Sequence, residues 1–138
     1  MDVTHIPFAK HIGIARKEEG TLKLEPTATV QNHINSIHAS AQFALAETQS
    51  GMYLQKVFPT LENKVVALLR GSTVKYKNPA TSTLTAFATV DDETKEKFMA
   101  LFERKGRGTI TVNVELRDES TTITMIGEYN WFVQRIQV

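Results

Sequence analysis

Alternating apolar and polar residues mark most of the strand segments of this chain. Apolar residues recur at every second position over residues 84–90 and 110–116, and residues 121–136 continue in the same way after a polar turn, which predicts strands with one buried face. Residues 65–69 form an unbroken apolar run that continues through Tyr76 to an Asn-Pro turn. Such runs are typical of strands covered on both faces. We therefore predict four strands in the second half of the chain.

A further hairpin is predicted over residues 14–32. Its turn lies at residues 18–20 and contains a glycine, after which apolar and polar positions alternate up to Val30. Pro26 has no backbone N–H, so we expect this strand to lie at a sheet edge or to carry a bulge there. A second irregularity, a β-bulge, is predicted at Gly127 in the last strand.

Three segments carry the signals of helices. Residues 6–12 have a proline near their start and are followed by a glycine, which are favoured positions for those residues in a short helix. Residues 91–105 begin with aspartates that can cap a helix and are followed by Gly106. The third helix covers about residues 38–57 and ends before Pro59.

The third helix is apolar on most of its sides. It is rich in alanine, and larger residues such as Phe43, Leu45 and Met52 are spread around it, so we expect it to be buried. One carboxylate, Glu47, lies within this apolar surface. Short hairpin connections imply a mostly antiparallel sheet, which the long helix has to cover. The pattern predicts a single α+β domain over residues 1–138.

The composition and net charge of the chain limit the kinds of molecule that it is expected to bind. The hydrophobic fraction is 41% and the net charge is +1, so we expect no nucleic-acid partner. The absence of cysteine excludes thiolate metal sites and cysteine nucleophiles. The N-terminal sequence lacks the features of a secretory signal, and no apolar run approaches the roughly 20 residues that cross a bilayer. We therefore expect a cytoplasmic protein that does not bind membranes.

The segment that enters the long helix carries a specific motif. Asn32 stands six residues before His38, and a Leu-Ala-Glu sequence ends at Glu47, nine residues after that histidine. In these spacings the segment resembles the phenylacetyl-CoA and 4-hydroxybenzoyl-CoA thioesterases of the hot-dog fold acyl-CoA thioesterase superfamily. Residues 76–80 are similar to the family's strand-end pattern, an aromatic residue followed by Pro-Ala. The resemblance implies an antiparallel sheet wrapped around one long central helix.

The same resemblance implies thioester hydrolysis and a set of roles. Glu47 would serve as the general base for water or as the nucleophile, and the sequence leaves both open. The amides of Ala39 and Ser40, at the N-terminus of the helix, would bind the developing oxyanion. Asn32 would orient the substrate or the water, and His38 would shape the helix entrance. The family has Gly-Gly in place of Ala39-Ser40, so the chain would form a divergent branch.

The spacing of these groups predicts an oligomer. Ala39 and Glu47 are eight residues apart, or about 12 Å along one helix, and cannot both touch one thioester carbon. An antiparallel helix from a second subunit would bring its Glu47 near the first subunit's Ala39. We therefore predict a homodimer with its sites in the interface, with a dimer of dimers, a homotetramer, as the other possibility.

The predicted substrate has a CoA part and an acyl part, and no separate cofactor is expected. Basic residues in two groups along the chain are candidates for the CoA phosphates. Each one alone is more simply a solvated surface charge, and only their clustering supports a role at the site: Arg70, Lys75, Lys77, Arg104, Lys105 and Arg107. The candidates for an acyl pocket are His38, Phe43, Met52 and Tyr53. The sequence identifies neither the acyl group nor the carrier, which is coenzyme A or acyl carrier protein.

The sequence gives little support for a metal site or for a dehydratase. The histidines have no spacing that would build a metal site with a carboxylate, so none is expected. Tyr129 and Trp131, on the last strand, are predicted to be core or interface aromatics. A hot-dog dehydratase is disfavoured because its proline-rich helix entrance is absent. A non-catalytic acyl- or CoA-binding hot-dog protein is the main alternative, because Ala39-Ser40 replaces Gly-Gly.

Overall fold

The computed structural model describes residues 1–136 as a six-stranded antiparallel sheet that packs against one long helix. The helices are α1 (Pro7–Ile12), α2 (Ala39–Val57) and α3 (Asp92–Lys105). The strands are β1 (Ala15–Glu18), β2 (Thr21–Leu24), β3 (Val65–Tyr76), β4 (Leu84–Thr89), β5 (Arg107–Arg117) and β6 (Ile123–Arg135), in the sheet order β1-β2-β4-β5-β6-β3. The predicted α+β architecture, with the sheet around a central helix, is confirmed.

The central helix α2 forms where the sequence predicts it. The His38 side chain accepts a hydrogen bond from the Ser40 N–H and so caps the first turn, and the helix ends before Pro59. Small residues such as Ala44 and Ala46 are almost completely buried, which allows strands β2, β4, β5 and β6 to approach closely. The helix is therefore held by packing on several sides, as its apolar residues predict.

The two shorter helices also match their end signals. Pro7 occupies the first turn of α1, and Gly13 ends it in the left-handed conformation. The Asp91 side chain accepts a hydrogen bond from the Thr94 N–H at the start of α3, and Gly106 ends that helix in the left-handed conformation. No helix within residues 1–136 combines the length and the apolar character that a membrane span requires.

The first hairpin is shorter than predicted. β2 ends at Leu24, and residues Ala28–Val30 form a turn of 3-10 helix, so the prediction of a strand that continues toward residue 32 is wrong. Pro26 offers no N–H to a neighbouring strand, and the Val30 carbonyl accepts instead from the His38 N–H at the start of α2. The chain therefore leaves the sheet early and turns into the helix entrance.

Strand β3 is an edge strand and not a central one. It pairs only with β6 among the described strands, and the side chains of Val66 and Leu68 are 50% and 60% exposed. The prediction of a strand covered on both faces is therefore wrong for the single chain. The apolar residues 65–69 are suited to burial, but no described element of the same chain covers Val66 and Leu68.

Gly127 lies in regular pairing and not in a bulge. It is opposite Val74 on one side and Val114 on the other, without a shift of register, so the predicted bulge is wrong. The register instead shifts between Leu69 and Gly71. A Cβ at position 127 would lie 2.8 Å from the Tyr129 ring. The glycine is therefore required by close packing on the inner face of the sheet.

Gly127→Ala should lower the free energy of unfolding by about 1–3 kcal/mol, because the added methyl group overlaps the Tyr129 ring and Val74. Gly71→Ala is the matched control, since no atom lies within 4 Å of the added Cβ there. We expect the control to stay within about 0.5 kcal/mol of the wild type in denaturant unfolding. Equal stability of the two variants would contradict the packing argument.

Candidate functional site

The N-terminus of α2 presents one free backbone donor. The Ser40 N–H donates to His38 Nδ1 at 2.9 Å. The Ala39 N–H has no hydrogen-bond partner among residues 1–136, and it lies at an exposed turn. The two amides predicted to bind an oxyanion therefore differ, because only the Ala39 N–H is available while His38 caps the helix.

Asn32 organises the loop that leads into α2. Its side-chain oxygen accepts from the N–H groups of Ile34 and Ser36, both at 3.0 Å, and its Nδ2 donates to the Ser36 hydroxyl at 2.8 Å. These bonds close a tight turn before His38. Asn32 thus has a structural role in the single chain, and its predicted contact with substrate or water stays a prediction.

Glu47 lies eight residues after Ala39 on α2, slightly more than two helical turns away. Its carboxylate is half-buried and makes no hydrogen bond or ion pair within the described part of the chain. Burial raises the pKa of this carboxyl above its ordinary value. An unpaired and partly desolvated carboxylate is a candidate for chemistry, because its raised pKa favours proton transfer.

Two tyrosines hold the helix on the side that carries Glu47. The Tyr76 hydroxyl donates to the Ala39 carbonyl, and the Tyr129 hydroxyl donates to the Phe43 carbonyl, each at 3.0 Å. Burial raises the pKa of Tyr129, with further contributions from the charges of Tyr76 and Glu47, so this hydroxyl keeps its proton. The sequence assigned Tyr129 only to the core or an interface. Its contact with α2 depends on the strand register.

Trp131 fixes the next turn of the helix. Its indole Nε1 donates to the Ser50 hydroxyl at 2.8 Å, and that hydroxyl donates to the Glu47 carbonyl at 2.7 Å. The sequence pattern did not single out Ser50. Tyr129 and Trp131 alternate along β6 on the face toward α2, and this alternation is the signal that could have linked them to the helix.

An apolar cavity of about 590 Å³ begins at Glu47 and lies between α2, the N-terminal segment and the edge of the sheet. Large apolar side chains form much of its wall, among them Leu54, Phe58, Trp131 and Val133. Edge strand β3 contributes Val65 and Ala67. Glu47, the carboxylate of the sequence motif, therefore lies at the wall of an apolar cavity.

The acyl-pocket residues predicted from sequence do not line this cavity. Met52 is buried on another side of α2, where its sulfur contacts Arg16, and the Tyr53 hydroxyl accepts from the Val90 N–H. Phe43 packs on the Tyr129 ring, with the ring centres 5.1 Å apart, and His38 caps the helix. Residues 47, 51, 54 and 58 line the cavity instead, because they recur along one stripe of α2. An acyl pocket formed by the four predicted residues stays a prediction.

The basic residues proposed for CoA do not form one cluster. Arg104, Lys105 and Arg107 lie at the end of α3 and the start of β5, Lys75 and Lys77 at the end of β3, and Arg70 within β3 over the Phe132 ring at 3.9 Å. Arg107 lies opposite Gln134 and Lys75 opposite Ile126, so the two groups are eight residues apart along β6, or about 26 Å. Within one chain the two groups therefore lie apart, and their contact with CoA stays a prediction.

Comparison with protein families decides the classification. Residues 7–133 match the model of a domain of unknown function, DUF4442. The chain belongs to the DUF4442 family. No curated protein sequence matches this DUF4442 chain.

Solved structures with the same fold include several described as thioesterases. A protein of unknown function from Pseudomonas aeruginosa, described as a probable thioesterase, matches with a TM-score of 0.82 at 19% identity, over 97% of this DUF4442 chain and 91% of that chain. The PaaI protein of the phenylacetic acid degradation operon from Escherichia coli matches with a TM-score of 0.66 at 20% identity, over 96% and 86%. A Bacillus halodurans protein solved with CoA matches with a TM-score of 0.68 at 21% identity, over 91% and 74%. At these identities the similarity establishes the hot-dog fold of the DUF4442 chain, and the predicted resemblance is confirmed.

Proposed function

We propose that this DUF4442 chain hydrolyses acyl thioesters, with acyl-CoA as the substrate class. The observation that carries the proposal is Glu47, a half-buried carboxylate without a partner among the described residues, at the end of an apolar cavity. A thioester places a polar reacting carbon at the end of an apolar chain, which is the arrangement that this cavity fits. The fold neighbours described as thioesterases, and the neighbour solved with CoA, support the same class.

The hydrolysis requires an activated water and a group that binds the oxyanion. In the general-base route, Glu47 takes a proton from water while the water oxygen bonds to the thioester carbon. The electron pair of the C=O double bond then moves onto the carbonyl oxygen. The Ala39 N–H, at the positive end of α2, donates to that oxygen. Collapse of the intermediate breaks the carbon–sulfur bond, and the CoA thiolate leaves and is protonated. In the alternative route, the Glu47 carboxylate attacks the carbon directly and water hydrolyses the resulting anhydride.

Both groups reach one thioester only in a dimer. Within one chain, Ala39 and Glu47 are separated by about 12 Å of helix. Ser72 lies opposite Tyr129 in the sheet, and the Tyr129 hydroxyl donates to the carbonyl of Phe43. Phe43 is midway along the helix between Ala39 and Glu47. A two-fold axis near Ser72 would therefore bring Ala39 of one helix toward Glu47 of the other.

The edge of β3 is the surface through which we propose that the dimer forms. This strand has twelve residues, and one of its edges has no partner strand among the described elements. A long apolar edge is a template for strand pairing, and pairing with a second copy would give the exposed Val66 and Leu68 cross-strand neighbours. A dimer of dimers is compatible with the same interface.

The phosphates of the CoA part of the substrate need basic side chains to bind them. The proposed reaction uses no separate cofactor. Because the two groups of basic residues lie at opposite ends of the sheet, one subunit would not supply all six to a single CoA. We propose that each site uses one group, either Lys75 and Lys77 or the set from Arg104 to Arg107, and that Asn32 positions the thioester or the water.

The experiment that tests the proposed function is release of free thiol from acyl-CoAs that range from acetyl to long-chain and aromatic. Glu47→Ala is the control for the carboxylate. Turnover by the wild type that is lost in Glu47→Ala supports the proposal. Equal turnover in the two proteins would refute the role of Glu47, and no turnover on any member would refute the hydrolase.

A second candidate function is non-catalytic binding of acyl groups or CoA. One observation favours it: Ala39-Ser40 replaces the Gly-Gly of the similar thioesterases, and the Ser40 amide is occupied by His38. Such a protein would bind acyl-CoA without releasing thiol. Calorimetric binding of an acyl-CoA that remains intact over the whole titration would support this candidate over the hydrolase.

The raised pKa of Glu47 predicts opposite effects of pH on activity and stability. The base form is required for hydrolysis, so kcat/KM should rise with pH, with a midpoint above that of an ordinary glutamate. Between the unfolded-state and folded-state pKa values the folded protein binds more protons, so the stability that Glu47 contributes falls as pH rises. The difference in unfolding free energy between the wild type and Glu47→Gln, measured across this interval, should therefore change with pH. A difference independent of pH would contradict the shift.

A further inference from the structure

The cavity next to Glu47 follows one stripe of the central helix. Glu47, Gly51, Leu54 and Phe58 all line it, and they recur at the spacing of helical turns. The distance from Glu47 to Phe58 along α2 is about 16 Å. The cavity therefore extends along this length of the helix, and Glu47 is the first α2 residue that lines it.

The lining of this cavity selects against anionic groups. Among the described residues that line it, none has a lysine, arginine or histidine side chain. Its charged groups are the carboxylates Glu47 and Glu62 and the amino group of Met1, which lies 3.8 Å from Glu62, and most of the remaining wall is aliphatic or aromatic. A phosphate or a free carboxylate would find no cationic side chain there, whereas an uncharged hydrocarbon would replace water against apolar surface.

We propose that the cavity receives an unbranched acyl chain of about twelve carbons, with the thioester carbon about 3 Å from the Glu47 carboxylate. The remaining length of about 13 Å, at about 1.2 Å per chain bond, corresponds to about eleven bonds, which join twelve carbons. This inference rests on the proposed function. The volume of about 590 Å³ lies within the usual range of ligand pockets. A short or aromatic acyl group would fill only the part next to Glu47, so the remaining wall would lack contacts.

Gly51 determines whether a long chain can pass. It lies one turn beyond Glu47 and faces the Trp131 ring, and a Cβ at this position would lie 3.5 Å from Trp131 Cζ2. A methyl group therefore fits there in ordinary contact, while a larger side chain would extend into the cavity. Because glycine is unfavourable within a helix, its replacement by leucine should not weaken α2.

The test compares wild type, Gly51→Leu and the matched control Gly51→Ala on straight-chain acyl-CoAs from butanoyl to hexadecanoyl, with phenylacetyl-CoA included. In the wild type, kcat/KM should rise with chain length to a maximum near dodecanoyl-CoA. In Gly51→Leu, kcat/KM for dodecanoyl-CoA should fall at least about tenfold, while kcat/KM for butanoyl-CoA, which ends close to residue 51, should fall much less. Gly51→Ala, whose methyl group fits in ordinary contact, should lower kcat/KM for dodecanoyl-CoA much less than Gly51→Leu, so that the loss follows the size of the side chain. A maximum at phenylacetyl-CoA or at short chains would overturn the inference, as would an unchanged profile in Gly51→Leu.

A binding measurement separates this inference from the proposed function. Trp131 is the only tryptophan of the chain and lines the cavity, so its fluorescence reports occupancy. S-alkyl-CoA thioethers carry no thioester carbonyl, so a thioesterase cannot hydrolyse them. Tighter binding of S-dodecyl-CoA than of S-butyl-CoA, lost in Gly51→Leu, would support the acyl site even if no substrate is hydrolysed. Equal affinity of the two thioethers would overturn it, even if hydrolysis is observed.

Discussion

Glu47→Gln is expected to lower kcat for acyl-CoA hydrolysis by about 10²–10⁴-fold, the usual range for loss of a general base. The amide has nearly the shape of the carboxylate but can neither accept the proton of water at neutral pH nor attack the thioester. The substitution also removes a charge that burial disfavours, as the raised pKa of Glu47 indicates. The melting temperature should therefore stay the same or rise at neutral pH.

The matched control for this experiment is Glu62→Gln. Glu62 also lines the cavity, but its side chain is 65% exposed, and it lies 3.8 Å from the N-terminal amino group. It carries the same charge without the partial burial or the position on α2, so its substitution should leave kcat nearly unchanged. A loss of activity in Glu62→Gln equal to that in Glu47→Gln would assign the effect to the charge of the cavity and not to catalysis by Glu47.

Ala39→Pro is expected to abolish the proposed hydrolysis by a different route, since it removes the backbone N–H proposed to bind the oxyanion. Residue 39 is the first residue of α2, a position where proline is favoured. His38 has φ −58° and ψ 140°, a conformation that suits the residue before a proline. The substitution therefore deletes one donor and leaves the helix intact. Ala39→Gly, which retains the N–H and removes the Cβ, is the control and should remain active.

Mixing Ala39→Pro subunits with Glu47→Gln subunits should restore activity. In a mixed dimer, one site combines the intact Glu47 of one subunit with the intact Ala39 N–H of the other, and the second site lacks both groups. Random exchange makes half of the dimers mixed, so the mixture should regain about a quarter of wild-type activity per subunit under two-fold symmetry. Mass spectrometry of intact complexes measures the mixed fraction.

This complementation distinguishes a shared site from two independent ones. If each subunit contained a complete site, every subunit in the mixture would carry a defect and no activity would return. Mixed dimers that form in the expected proportion and remain inactive would therefore refute a site shared between subunits. A species that stays monomeric at assay concentrations would refute the dimer itself, and with it the role of the β3 edge.

The sequence by itself determined the elements whose causes are local. The limits of α2 follow from the cap at His38 and the stop before Pro59, and both are visible along the chain. The fold class followed because alternating strands, short connections and one helix that is apolar on most sides leave few arrangements. The Asn32–Glu47 spacing likewise identified the turn and the helix face where the only half-buried carboxylate of α2 lies.

The tertiary structure decided everything that depends on which strands are neighbours. A run of apolar residues indicates burial but not whether the burying element belongs to the same chain. The sequence therefore could not predict that β3 lies at an edge of the sheet. The close packing at Gly127 and the contact of Tyr129 with α2 depend on register, a property of paired strands that neither strand encodes alone. The residues that line the cavity could not be predicted from the sequence, because a helix that is apolar on all sides gives no sign of which stripe remains unpacked. Here the sheet covers the other sides of α2 and leaves free the stripe from Glu47 to Phe58.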